Sequence, residues 1–203
     1  MPSTELADYL PLIVFMAVAS ITPGPNNVML ATAGAVAGLR ATVPHLLGIS
    51  IGHAFQIALI GLGIGSLFAA YPALVQMLRI ASGGYLLWLA WSLARALPPA
   101  PGETPRAGQP LTFLGAALFQ WINPKAWMMA LTVCAAFLPT GDAQLIGLIT
   151  VATIAMVVNL PCILIWAGAG VALRRWLTRP ARWRVFNLAM AAALVATAVG
   201  VIR

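Results

Sequence analysis

Thr22-Pro23-Gly24-Pro25-Asn26-Asn27 interrupts a stretch that is otherwise apolar from Leu10 to Leu39, and Asn123-Pro124-Lys125 interrupts a second from Leu111 to Leu138. Proline lacks an amide hydrogen and clashes with the preceding turn, and Gly24, set between two prolines, lifts the steric restraint on the backbone. A helix does not run straight through either segment. Pro23 and Pro124 each lie 13 residues into their stretch, so the two halves of the chain carry matched breaks.

The surroundings of these breaks fix the class of protein. Of 203 residues, 62% are hydrophobic and 7% charged, against roughly 25% charged in an ordinary soluble domain. Apolar runs of the length that crosses a bilayer, about 20 residues, follow one another, which predicts an all-α membrane protein of six transmembrane helices. The expected spans are Leu10 to Leu39, Val43 to Ala70, Pro72 to Leu97, Leu111 to Leu138, Leu145 to Leu173 and Val185 to Ile202. Arg40 to Thr42, Tyr71 with Pro72, Pro98 to Pro110, Pro139 to Gln144 and Arg174 to Arg184 connect them. Residues 1–97 and 111–203 then form two three-helix repeats joined by a linker at 98–110. Three is odd, so the second repeat is inverted, with its first helix broken near mid-membrane like that of the first. Inverted repeats with discontinuous helices are a recurring plan of secondary transporters, whose substrate sites lie at the midplane.

Charge predicts the orientation. The net charge is +7, and five of the eleven basic residues cluster at Arg174, Arg175, Arg179, Arg182 and Arg184. Between two spans such a cluster reads as a cytoplasmic anchor against anionic lipid rather than a nucleic-acid site. Arg40, Arg95 and Arg106 fall on the same side, which places the linker in the cytoplasm and both termini outside. Met1 to Tyr9 carries Glu5 and Asp8 and no basic residue, unlike a secretory signal, so the first span is expected to remain. Cys134 and Cys162 lie within spans at no metal-ligand spacing. No metal, cofactor or catalytic residue is expected.

Irregular backbone inside a membrane is tolerated only when buried in protein or lining a watery cavity, so Pro23, Gly24, Pro25, Asn26 and Asn27 should face the interior. The half-helices that follow Pro25 and Pro124 start at mid-membrane, and helix N-termini attract anions such as a substrate carboxylate. Asn26, Asn27, Asn123 and Gln120, one turn before the fourth-span break, supply polar side chains. Lys125 lies about 21 Å from either end of its span, too deep to reach head groups, and a charge there is a functional-site hypothesis by default. Carboxylate recognition, proton-linked switching and a structural bond holding the broken first span all suit it. Arg79, about 10 Å from the end of its span, can extend to the surface along its own stem. His45 and His53 share the second span, and His53, the deeper, is a second candidate for proton coupling. Asn159 precedes Pro161 at an expected kink in the fifth span. The spacings Gly34/Gly38, Gly48/Gly52 and Gly61/Gly65 permit close helix approach, within the chain or across a homodimer.

At these residues the chain resembles the lysine exporter (LysE/RhtB) superfamily of bacterial inner-membrane amino-acid exporters. The resemblance rests on Thr22-Pro23-Gly24-Pro25, Gly38-Leu39-Arg40, Gly48, Gly52, Gly84-Tyr85-Leu86, Leu89-Ala90-Trp91 and Asn123-Pro124-Lys125, and it covers essentially the whole chain. Many members carry aspartate after Pro-Gly-Pro, where this chain has Asn26. Asn26-Asn27 with Trp88-Leu89-Ala90-Trp91 is most similar to the cysteine and O-acetylserine exporters. The resemblance implies a multi-pass inner-membrane transporter working by alternating access on a small amino acid, in contact with lipid and open to coupling with protons.

No carboxylate falls in the expected membrane core, since Glu5, Asp8, Glu103 and Asp142 lie near ends or in loops. A lysine or arginine substrate would lack a partner there, which favours neutral or zwitterionic amino acids over the alternatives of basic amino acids or homoserine and threonine. A scaffold without transport is the other class in contention. An intramembrane enzyme is disfavoured: Ser82-Gly83 resembles a serine-protease motif superficially, but Ile80 stands where that motif needs glycine, and there is no embedded aspartate pair.

Overall fold

The computed structural model describes residues 6–97, 108–139, 141–177 and 179–202. Among them all regular structure is helical: α1 (Leu10–Ile21), α2 (Pro25–Ala37), α3 (Leu39–Leu59), α4 (Gly65–Ala70), α5 (Pro72–Ala94), α6 (Phe113–Phe119), α7 (Pro124–Phe137), α8 (Gln144–Leu173) and α9 (Pro180–Ile202). Most of the expected linker, 98–107, and Glu5, Glu103, Arg106 and Arg203 lie outside the described residues.

Four helices are long and apolar enough to cross a bilayer: α3 with its continuation to Ile64, α5 over Ala73–Ala94, α8 and α9. The bent pair α1–α2, turning 56° at the first break, makes a fifth. The expected fourth span comprises the 7-residue α6 and the 14-residue α7, separated by a turn from Gln120 to Asn123. Prolines stand at the first position of α2 and of α7, where the missing N–H is no loss and φ is already helical. The residue matching Pro124 by position in its helix is therefore Pro25, two residues later than counting from the span starts suggested.

Other boundaries also differ from expectation. Arg40 to Thr42 is not a loop but the first turn of α3. Gly38 alone reverses the chain, at φ 82, a left-handed conformation that glycine adopts without a Cβ penalty. The last helix starts at Pro180 rather than Val185, so it has 23 residues and Arg182 and Arg184 ride on its first turns. The second span breaks near its end, where Ile60–Ile64 widens into a π turn with Gly63 at φ 128. α8 carries Pro161 inside one 30-residue helix, which matches the single fifth span expected from Leu145 to Leu173.

Lipid is as apolar as leucine, so helices associate in membranes through close packing and polar bonds rather than hydrophobicity. Here small residues do this work within the chain. A Cβ on Gly34 would collide with the Ala167 carbonyl and one on Gly170 with the Ala31 carbonyl, so α2 and α8 lie backbone to backbone. Gly48 and Gly52 of α3 make the same approach to Phe113, Ala116 and Ala117 of α6. α8 is the hub: its buried stripe of Leu148, Val151, Ala155, Asn159, Ile163 and Ala167 faces α1, α2 and α3. α5 packs chiefly on α9, with Leu86, Ala90 and Leu93 against Ala191, Leu194 and Ala198, joined by Val28 of α2. Helices of the first half thus find their main partners in the second.

Candidate functional site

The break between α1 and α2 leaves Ile21, Thr22 and Pro23 exposed, so that Pro23 does not face the interior as expected, while Gly24, Pro25 and Asn27 are buried; each freed carbonyl from Ser20 to Pro23 meets a side-chain donor. Asn27, buried on the first turn of α2, donates through Nδ2 to the Ser20 and Thr22 carbonyls at 2.9 and 2.8 Å. Trp166 of α8 donates Nε1–H to the Ile21 carbonyl at 3.0 Å. Lys125 of α7 donates Nζ–H to the Thr22 carbonyl at 2.6 Å and more distantly to that of Pro23 at 3.5 Å. The C-terminal end of a helix carries partial negative charge, so the ammonium completes α1 electrostatically as well. Of the roles the sequence left open for Lys125, this conformation displays the structural bond.

Gly24 matters here for space. Its φ of −173 and ψ of 179 are extended and open to any residue, contrary to the expectation that glycine relieves the backbone. A Cβ would instead lie 2.9 Å from Lys125 Cδ and 3.2 Å from Nζ, so glycine makes room for the lysine stem.

The second break is built differently. Asn123 caps α7 by accepting the Lys125 backbone N–H on Oδ1 at 3.1 Å, so that donor is already engaged. Gln120, fully buried, clasps Asn26 in a reciprocal amide pair: Asn26 Nδ2 donates to Gln120 Oε1 at 2.9 Å and Gln120 Nε2 donates back at 3.4 Å, while also reaching the Ala116 carbonyl. The two breaks are therefore joined by one amide pair and one lysine.

Between them is a cavity of about 30 Å³, lined by Gly24, Pro25, Asn26, Asn27, Gln120, Asn123 and Lys125, with His53, Asn159, Ser20 and apolar neighbours such as Ile49 and Ile163. At that size it admits one or two waters. Asn159 is held by Nδ2 donation to Ser50 Oγ at 3.0 Å. Ser20 Oγ and His53 Nε2 are buried and find no partner among the described residues. Pro23 contributes its carbonyl rather than its ring, and Pro124 faces a second, larger cavity.

That larger cavity, about 490 Å³, lies between α5, α7 and α9, and its mostly apolar walls include Arg79, Lys125, Trp127 and Thr197. Arg79 thus stands apart from the small site, and Lys125 is shared by both spaces. His45 sits elsewhere, accepting the Leu111 N–H on Nδ1 at 3.3 Å at the approach to α6.

Sequence reading missed four polar residues around the site, Ser50 on Asn159 among them. Gln56 is fully buried one turn after His53 and donates Nε2 to the Gln120 carbonyl at 3.1 Å; its spacing from His53 was the available signal. Ser20 follows Leu12 and Met16 at four-residue spacing on the buried face of α1, and that spacing was its only signal. Trp166 has the look of an interfacial aromatic residue, and nothing local shows that its indole caps a helix 145 positions away. Ser82, of the Ser82-Gly83 pair, is buried within α5.

A profile of the LysE type translocator family matches residues 17–203. The chain is 30% identical over 154 residues to the cysteine/O-acetylserine efflux protein of Salmonella typhimurium (strain LT2), covering 75% of this chain and 77% of that protein. It is 27% identical over 183 residues to the Escherichia coli (strain K12) protein of the same name, covering 90% and 91%. No solved structure matches.

Proposed function

The chain belongs to the LysE family of translocators, transporters rather than enzymes, and on that premise we propose that it exports a neutral or zwitterionic amino acid, with cysteine and O-acetylserine first among the candidates. The observation that carries this reading is the small polar cavity at the junction of two helix breaks, which holds one cation and no carboxylate. A zwitterion offers Lys125 a carboxylate without asking the site for a second anion. Exchange of Lys125 between the carbonyls of α1 and a substrate carboxylate would couple binding to release of the broken helix.

The proposed architecture is six spans in two inverted halves, 1–97 and 111–203, with the 98–110 linker cytoplasmic and both termini outside, in a bacterial inner membrane. The arginine cluster supports that orientation. Transport by alternating access requires the small cavity to widen. Because α5 packs chiefly on α9 while α1, α2 and α3 pack on α8, the bodies that rock would each combine elements of both halves. The larger cavity beside Lys125, at the end of α9 away from the arginines, is the exit side in this scheme.

The test is efflux from proteoliposomes loaded with labelled cysteine, O-acetylserine, threonine, leucine or lysine. Selective efflux of the first two is expected. Selective lysine efflux would overturn the charge argument, and no efflux of any of the five would overturn the exporter reading.

A further inference from the structure

The orientation of one amide determines what His53 can offer the cavity. Gln56 Nε2 donates to the Gln120 carbonyl at 3.1 Å, which leaves its Oε1 turned toward His53 Nδ1 at 3.2 Å. An amide oxygen only accepts, so Nδ1 carries the hydrogen, and in the neutral ring Nε2 is then a bare lone pair. His53 is 4% exposed, Nε2 has no partner among the described residues, and the side chain lines the small cavity. The surrounding amides are committed elsewhere: Asn27 to α1, Asn26 and Gln120 to each other, and Asn159 to Ser50. A buried acceptor left over in a cavity whose cation comes from another helix is a polar arrangement with two unlike poles.

We infer that His53 is the residue that recognises the substrate's α-ammonium group, accepting one of its N–H bonds on Nε2, while Lys125 faces the carboxylate. Gln56 is a positioning residue that fixes the tautomer, and the unpartnered Ser20 hydroxyl, on α1, is a second acceptor among the residues that line the cavity. The inference rests on the exporter reading and deepens it: specificity is for the zwitterionic end of the molecule, contributed by α3 at one pole and α7 at the other. It assigns His53 a role in selection rather than in proton traffic alone.

The test measures competition against labelled cysteine efflux in proteoliposomes, using unlabelled cysteine, 3-mercaptopropionate, which lacks the ammonium group, and cysteamine, which lacks the carboxylate. A site built to bond a polar group rejects the analogue lacking it, so wild type should favour cysteine over 3-mercaptopropionate by at least about tenfold. In His53→Phe that preference should collapse to about twofold or less, whereas the preference over cysteamine should persist. Should the phenylalanine variant fail to insert, Gln56→Leu gives the same readout, since the tautomer is no longer fixed. His53→Gln, which keeps an acceptor, should restore part of the preference. If these variants weaken cysteine and 3-mercaptopropionate equally, His53 is merely structural and the inference fails while the exporter reading stands. If wild type moves no cysteine, the cysteine reading falls and takes this inference with it.

Discussion

The Thr22 carbonyl receives two donors from two helices, and that shared acceptor makes a measurable prediction. Asn27→Ala removes two neutral hydrogen bonds of about 1 kcal/mol each and leaves the Ser20 carbonyl without a donor, a further 1–3 kcal/mol or so; about 3–5 kcal/mol is expected in all. Lys125→Met removes a charge-assisted bond of about 1.5–3 kcal/mol but also relieves the cost of a charge deep in the membrane, so its net effect should be small. In either single variant the Thr22 carbonyl keeps one partner, at 2.6 Å from Lys125 or 2.8 Å from Asn27. In the double variant it keeps none. The double loss should therefore exceed the sum of the singles by about 1–3 kcal/mol, the cost of leaving a carbonyl of a broken membrane helix without a donor where lipid offers none. Equilibrium unfolding in mixed micelles by sodium dodecyl sulfate, followed by tryptophan fluorescence, reads all four corners of the cycle. Additivity within about 0.5 kcal/mol would show that the two side chains do not share the acceptor, and the account of the first break would be wrong.

Three further outcomes are expected. Gly34→Ala puts a methyl against the Ala167 backbone and should cost about 1–3 kcal/mol in the same unfolding assay, whereas Gly84→Ala, which meets nothing within 4 Å, should stay within about 0.5 kcal/mol. Gly24→Ala fits the extended backbone but crowds the Lys125 stem, so it should slow cysteine efflux severalfold while changing stability by less than about 1 kcal/mol; normal efflux would count against the packing argument. Asn26→Asp breaks the amide clasp with Gln120 and adds an anion to the cavity, and it should shift the ratio of lysine to cysteine efflux upward by about tenfold, roughly 1.4 kcal/mol. An unchanged ratio in competition assays would remove Asn26 from the determinants of substrate charge.

Proline, glycine and charge were the legible part of this chain. Pro25 and Pro124 announce helix starts because their chemistry is local, and Lys125 stands out because a lone cation among apolar residues has no bland surroundings. The breaks also pointed to residues that line the cavity, Gly24 to Asn27 with Gln120, Asn123 and Lys125, since irregular membrane backbone has to face something polar. Long-range pairing was illegible. Neither Trp166 on Ile21 nor Gln56 on Gln120 leaves a periodic trace, and the reason for Gly24 lies in a side chain about a hundred positions away. The π turn at Ile60–Ile64 was hidden differently: Gly61, Gly63 and Gly65 read as packing glycines, because without proline a widened turn has no distinct composition.

The indole of Trp166 and the ammonium of Lys125 reach the first break from 145 and 103 positions downstream. At translation rates of about 5–20 residues per second, α1 and α2 enter the bilayer on the order of 5–30 seconds before those donors are synthesised. During that interval the nascent break has only Asn27 to occupy its carbonyls, and the small-residue face of α2 has no α8 to lie against. Biogenesis therefore has a vulnerable stage, in which the leading bent span must be shielded by water, lipid head groups or the insertion machinery, and a chain truncated before α8 should be a substrate for membrane proteolysis.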